Sequence, residues 1–179
     1  MSLQAAGFIA GVFLLLLSIP GLVNPRSVGA FAQRLPRSRF AGVILLAIDL
    51  LWSLWLLATM EMGEFSAFRR PLLVALPIAF FLVLRFVDEF LAVRALGILC
   101  LLAAEPLLEA ALFRHETSRL LVTVFAYLII IAGLFWVTMP YLMRDQLNWS
   151  LKSTVRWRAL LAIALVYGAA MLVCVFTSY

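Results

Sequence analysis

Asp49 and Glu105 stand out because each is an acid set deep inside a long apolar run. An ionised carboxylate near the centre of a bilayer costs about 2.5 to 3.5 kcal/mol on insertion scales, so a chain that keeps one there neutralises it, pairs it or uses it. Asp49 lies ten residues beyond Arg39, roughly 15 Å along a helix. Trp52 and Ser53, three and four residues on, share its face and are placed to shield it or hydrogen-bond to it. Glu105 occupies a comparable depth on an equivalent helix, followed by Pro106 and, one turn along, by Glu109. Pro106 has no N–H to offer the carbonyl of Leu102, which leaves an acceptor near the acid. This supports two expectations. The first is that Asp49 and Glu105 exchange protons or cations in a small transporter or channel; the second is that they are structural, either neutral and hydrogen-bonded or paired with a basic residue of another subunit. The second is the leading one, because no Lys or Arg of this chain lies at their depth.

Other chemistry finds little to stand on. His115 is the sole histidine, in the short connection Arg114-His115-Glu116-Thr117, and reads as a solvated loop residue. One imidazole does not supply two haem ligands or a multi-histidine metal centre. Cys100 and Cys174 fall in apolar segments without a CxxC pattern and read as small buried hydrophobes. Gly-rich phosphate loops, nucleophile elbows and HExxH helices are all missing from the sequence. The expectation is therefore no enzyme, no cofactor and no metal.

The elements that carry these acids are membrane spans. The 179 residues are 66% hydrophobic and 13% charged, against about 45 to 50% and about 25% in soluble domains. Apolar runs near 5–23, 39–60, 71–87, 91–113, 119–143 and 156–177 are each long enough to cross. They predict an all-α fold, a single transmembrane domain over 1–179 built as a bundle of six helices, with no room for a soluble domain. The third run is the shortest and holds Pro71 and Pro77; an alternative joins 71–113 into one re-entrant unit broken at Asp88 and Glu89. Those two acids with Arg85 and Arg94 read as a charge-balanced turn.

Basic residues set the expected orientation. Ten of the fourteen lie on the odd-numbered connections: Arg26, Arg34, Arg37, Arg39, Arg85, Arg94, Arg144, Lys152, Arg156 and Arg158. Arg69, Arg70, Arg114 and Arg119 lie on the even ones. The positive-inside rule then places the odd connections in the cytoplasm and both termini outside, in a plasma or inner membrane. The formal charge of +5 points to anionic lipid, with no nucleic-acid partner, because the arginines flank apolar runs at headgroup depth. The uncharged Met1–Gln4 and the absence of a small-residue cleavage site argue that the first span is no secretory signal and stays in the protein.

Two basic connections read as interfacial. Val28, Phe31, Ala32 and Leu35 recur at helical spacing, with Arg26, Gln33 and Arg34 off that stripe and Pro36 ending it. The last connection mixes Leu147, Trp149, Leu151 and Trp157 with Lys152, Arg156 and Arg158, as a segment anchored by indoles and cations does. For packing, Gly7 and Gly11 form a GxxxG, Ser38 and Gly42 a small-xxx-small pair, and Gly168-Ala169-Ala170 a smooth patch. Similar openings at Arg39, Arg94 and Arg156, each after a span with Pro20, Pro77 or Pro140, allow the chain to be read as three repeated hairpins. Ordinary helix-end arginines produce the same pattern without any duplication. Together these features point to a non-catalytic subunit or scaffold of a larger membrane complex, partnered by other membrane subunits. A proton- or cation-coupled transporter is the rival, and a lipid-acting enzyme the third reading.

Overall fold

Serines at two helix starts show how local chemistry sets the spans. Ser2 Oγ accepts from the Ala5 N–H at 3.2 Å and opens α1 (Leu3–Val23), and Ser38 Oγ accepts from the Ala41 N–H at 3.2 Å and opens α3 (Arg39–Thr59). Between them, Pro25 begins the short α2 (Pro25–Arg34), where a missing N–H is harmless. The chain continues through α4 (Arg69–Phe86), α5 (Leu91–Ala111), α6 (Arg119–Thr138), α7 (Tyr141–Leu151) and α8 (Thr154–Thr177). This is a computed structural model, and it describes residues 2–61, 63–87, 90–112 and 119–177. Among the described residues there is no strand. The fold is an all-α bundle in which six helices, α1, α3, α4, α5, α6 and α8, are long and apolar enough to span a membrane.

Separate third and fourth spans are found as expected, while two expectations and the joined alternative need correction. The fifth span ends at Thr138 and not near 143, because Pro140 cannot continue the helix and instead leads into α7. The joined unit over 71–113 is replaced by two separate helices: α4 is lengthened at its start by a 3-10 turn (Gly63–Phe68), and α5 begins after Phe90, whose φ of 56° breaks the path. Asp88, Glu89, Arg114 and His115 lie outside the described residues. The hairpin repeat is not a packing unit either. Within each proposed hairpin the two long helices touch at most glancingly, whereas α1 lies along α8, α6 along α5, and α3 along α5.

Small residues explain those partnerships. At the α1–α8 crossing, a Cβ on Gly11 would sit 3.0 Å from the Gly168 carbonyl, and one on Gly168 would sit 3.1 Å from the Gly11 carbonyl. The α5–α6 crossing repeats the arrangement, Gly97 against the Gly133 carbonyl at 2.9 Å and the reverse at 2.8 Å. In lipid no hydrophobic force draws helices together, so backbone approach of this kind selects the pairs. Ala6, Ala10, Leu107, Val122, Ala126 and Met171 then join α1, α5, α6 and α8 in one core, and Tyr167 adds a 2.7 Å hydrogen bond to the Leu121 carbonyl. A second, smaller cluster of Leu46, Leu91 and Ala95 ties α3 to α5 near the basic end, where Phe80, Val83 and Leu84 of α4 also pack. Helix α4 has no buried residue and rides on the outside of α3.

Trp157 departs from its expected place at the interface. It is 9% exposed, and its indole N–H donates at 3.3 Å to the Gly21 carbonyl. That carbonyl would ordinarily receive the N–H of residue 25, but Pro25 has none, so the indole supplies the missing donor and pins α8 to the end of α1.

Candidate functional site

The contact between α3 and α5 changes character along its length. A Cβ on Gly42 would lie 2.8 Å from the Ala92 nitrogen, so the two backbones nearly touch near the basic end. On α3 the facing stripe runs Gly42, Leu46, Asp49, Ser53, Leu56, Met60; the first three are buried, the next two half-buried and the last exposed. On α5 the answering stripe is Leu91, Ala95, Ile98, Leu102, Glu105, Glu109, and it runs in the same order from buried through half-buried to exposed. Both faces lose cover in the same direction. The two stripes form a wedge of exposure, covered near the basic end and progressively uncovered toward the other end of the bundle.

Asp49 sits at the closed point of this wedge. It is 3% exposed, and neither carboxylate oxygen has a hydrogen-bond partner among the described residues. Trp52 and Ser53 therefore do not bond to it, contrary to expectation. Counting seven residues on from Gly42 and from Ala92 sets Asp49 level with Leu99 and Cys100, and the Cys100 thiol is within its electrostatic reach. Glu105 stands six residues beyond that level, about 9 Å along α5. It is exposed, on the wall of the wedge, as is Glu109. The structure thus places the two acids on one wedge but not side by side.

The wedge lining accepts hydrogen bonds and protons and offers few donors. At its exposed end Arg69 donates its guanidinium to the carbonyl of Met60, the last position of the α3 stripe. Such a lining suits a proton, a cation or a donor-bearing side chain. Among the described residues no three His, Cys, Asp or Glu side chains gather as metal ligands.

The second polar region lies at the basic end, where α2 and α7 pack together. Leu151 covers Gly29 so closely that a Cβ there would meet it at 2.7 Å, and the Gln33 amide donates to Asn148 Oδ1 at 3.3 Å. Val28 and Ala32 are half-buried as the apolar stripe requires, but Phe31 is 66% exposed and points away from the bundle. Arg156 stacks over the exposed Trp149 ring at 5.1 Å, and Arg39 donates to the Leu84 carbonyl at 3.5 Å, tying α3 to the end of α4. Arg26, Arg34, Arg37, Lys152 and Arg158 are exposed around them.

Of the proposed packing residues, Gly7, Gly11 and Gly42 are buried, while Ser38 acts as a helix cap and not as a packing surface. Sequence reading missed three features. Gly97 with Gly133 had no GxxxG spacing to mark it, and the Gln33–Asn148 bond spans connections far apart in the chain. The donor role of Trp157 had a signal, the proline four residues after Gly21, that was there to be read. Compared with protein-family models, curated proteins and solved structures, the chain matches none.

Proposed function

We propose that this chain is a non-catalytic integral subunit of a larger membrane assembly, and that the wedge between α3 and α5 receives a transmembrane helix of a partner. The observation that carries this reading is Glu105. It is exposed on a spanning helix, has no partner among the described residues, and has no cation of this chain at its depth. A carboxylate facing lipid is costly, whereas one facing an Arg, Lys or amide of a neighbouring helix is satisfied. The occupant is accordingly a helix with a donor or cation at that level.

The orientation in the assembly is set by charge. The end bearing α2 and α7 holds ten of the fourteen basic residues, so it is cytoplasmic, with both termini outside, in a plasma or inner membrane. Reporter fusions at the two termini check this, since activity of a cytoplasm-only reporter at either end contradicts it.

Gentle native extraction followed by sizing and mass spectrometry tests the subunit reading. Stoichiometric membrane companions, lost in Glu105→Gln or Glu105→Leu, are expected; a stable lone monomer that is indifferent to both changes refutes it. One observation favours a second reading, proton- or cation-coupled transport: Asp49 is buried on a spanning helix with no hydrogen-bond partner among the described residues. Proteoliposome flux that disappears in Asp49→Asn identifies that activity, and flux unchanged by Asp49→Asn removes it.

A further inference from the structure

The α2–α7 pair forms a built cleft, and its chemistry is that of an anion receptor. We infer that it binds a phosphate group at headgroup depth, and specifically the phosphate of an anionic lipid. A cavity of about 190 Å³ is lined by Gln33, Pro36, Arg37, Arg144, Leu147 and Asn148. It adjoins a wider opening of about 560 Å³ that reaches Trp149 and Lys152. A third depression adds Arg34, and Gln33 borders all three.

The charge balance of these linings is one-sided. Arg34, Arg37, Arg144 and Lys152 contribute four cations, against the single carboxylate of Asp145. That carboxylate is already held by Arg144 at 3.0 Å, so it neutralises one cation and leaves the others in excess. Gln33 spends its amide N–H on the Asn148 oxygen, and this orients the Asn148 side chain with its own NH₂ left to donate. Guanidinium, ammonium and amide donors around one cavity match the acceptor oxygens of a phosphate.

The depth of the cleft selects the lipid source over a soluble one. Both helices connect spanning segments at the same end, and each carries an exposed aromatic, Phe31 at 66% and Trp149 at 54%, of the kind that lies among headgroups and upper acyl chains. The leaflet met by this end is also the one whose anionic lipid attracts juxtamembrane cations. A soluble phosphate ester offers the same oxygens without the acyl chains, and the experiment separates the two.

The full chain is reconstituted in nanodiscs of mixed phosphatidylcholine and phosphatidylglycerol, and native mass spectrometry counts the lipids that remain bound on release. Selective retention of phosphatidylglycerol is expected. Arg37→Gln and Lys152→Gln, both at exposed positions and so expected to fold, each lower that retention by about fivefold, as loss of one cation near an anionic surface does. Arg85→Gln, a charge loss at the same end on α4 that lines none of the three openings, lowers it less than either cleft variant. Retention that survives millimolar inorganic phosphate supports the lipid, whereas displacement by inorganic phosphate overturns the lipid assignment in favour of a soluble ester. Equal retention of the two lipids, or an Arg85→Gln effect as large as that of the cleft variants, overturns the site itself.

Discussion

The α5–α6 and α3–α5 contacts share one helix and meet opposite outcomes. Against α6, α5 brings Gly97 to the Gly133 carbonyl, and beyond that crossing Leu107, Ala110, Val122 and Ala126 continue the contact into the main core. Against α3, Gly42 meets the Ala92 backbone, and further along the stripes carry Asp49, Ser53 and Leu56 on α3 and Leu102, Glu105 and Glu109 on α5. Covering the second contact along its length would bury the Glu105 carboxylate in a low-dielectric medium, and desolvation opposes that. Small residues thus line the close seams of this bundle, and the α3–α5 seam carries Glu105 and Glu109 where its cover is lost.

Glycine substitutions test the closed seam and carry the largest expected effect. Gly133→Leu must displace the Gly97 carbonyl and Leu101, which a Cβ would already meet at 2.8 and 3.1 Å, so stability falls by about 3 kcal/mol or the chain fails to insert properly. Gly168→Leu does the same to α1–α8, where the Leu14 Cβ lies 2.9 Å away. Unfolding in mixed detergent and SDS micelles measures both. A loss below about 1 kcal/mol at either glycine would mean the backbones are not in contact.

Next in size is Trp157→Phe, which keeps the ring and removes the donor to Gly21. The carbonyl that Pro25 leaves without a partner is then orphaned, and stability drops by about 1 to 2 kcal/mol in the same titration. Phe at that position with no loss would show that water reaches Gly21.

At the closed point of the wedge the sign reverses. Asp49→Val removes two oxygens that have no partner among the described residues and puts an apolar side chain of similar reach in their place, so stability rises by about 1 kcal/mol. If Asp49 were instead hydrogen-bonded in the membrane, the same change would lower stability. This variant thus separates an acid kept for function from one kept for structure.

Membrane character, segment count and the place of Asp49 on a spanning helix were legible because apolar run length and helical rise are local properties. Which helices pair was not. The sequence order suggested neighbours, but α1 and α8 come from opposite ends of the chain, and the Gly11–Gly168 contact depends on the rotation of both helices. Glu105 shows the same limit. Its place on a spanning helix was readable, but its exposure depends on how neighbouring helices cover α5. The cation content of the basic connections was plain, whereas their gathering round Gln33 required α2 and α7 to meet.

The smallest expected effect is the most direct test of the open half. Ser53 lies one turn past Asp49 on the α3 stripe, half-buried, whereas Gly42, nearer the basic end, meets backbone. Ser53→Leu adds a large apolar side chain at a half-buried position and not against a neighbouring backbone, so the stability of the isolated chain changes by no more than about 0.5 kcal/mol. A loss near that of Gly133→Leu would mean that α3 and α5 close over this level. If the chain alone tolerates Ser53→Leu but its native companions no longer co-purify, the occupied wedge and the empty one have been distinguished by a single side chain.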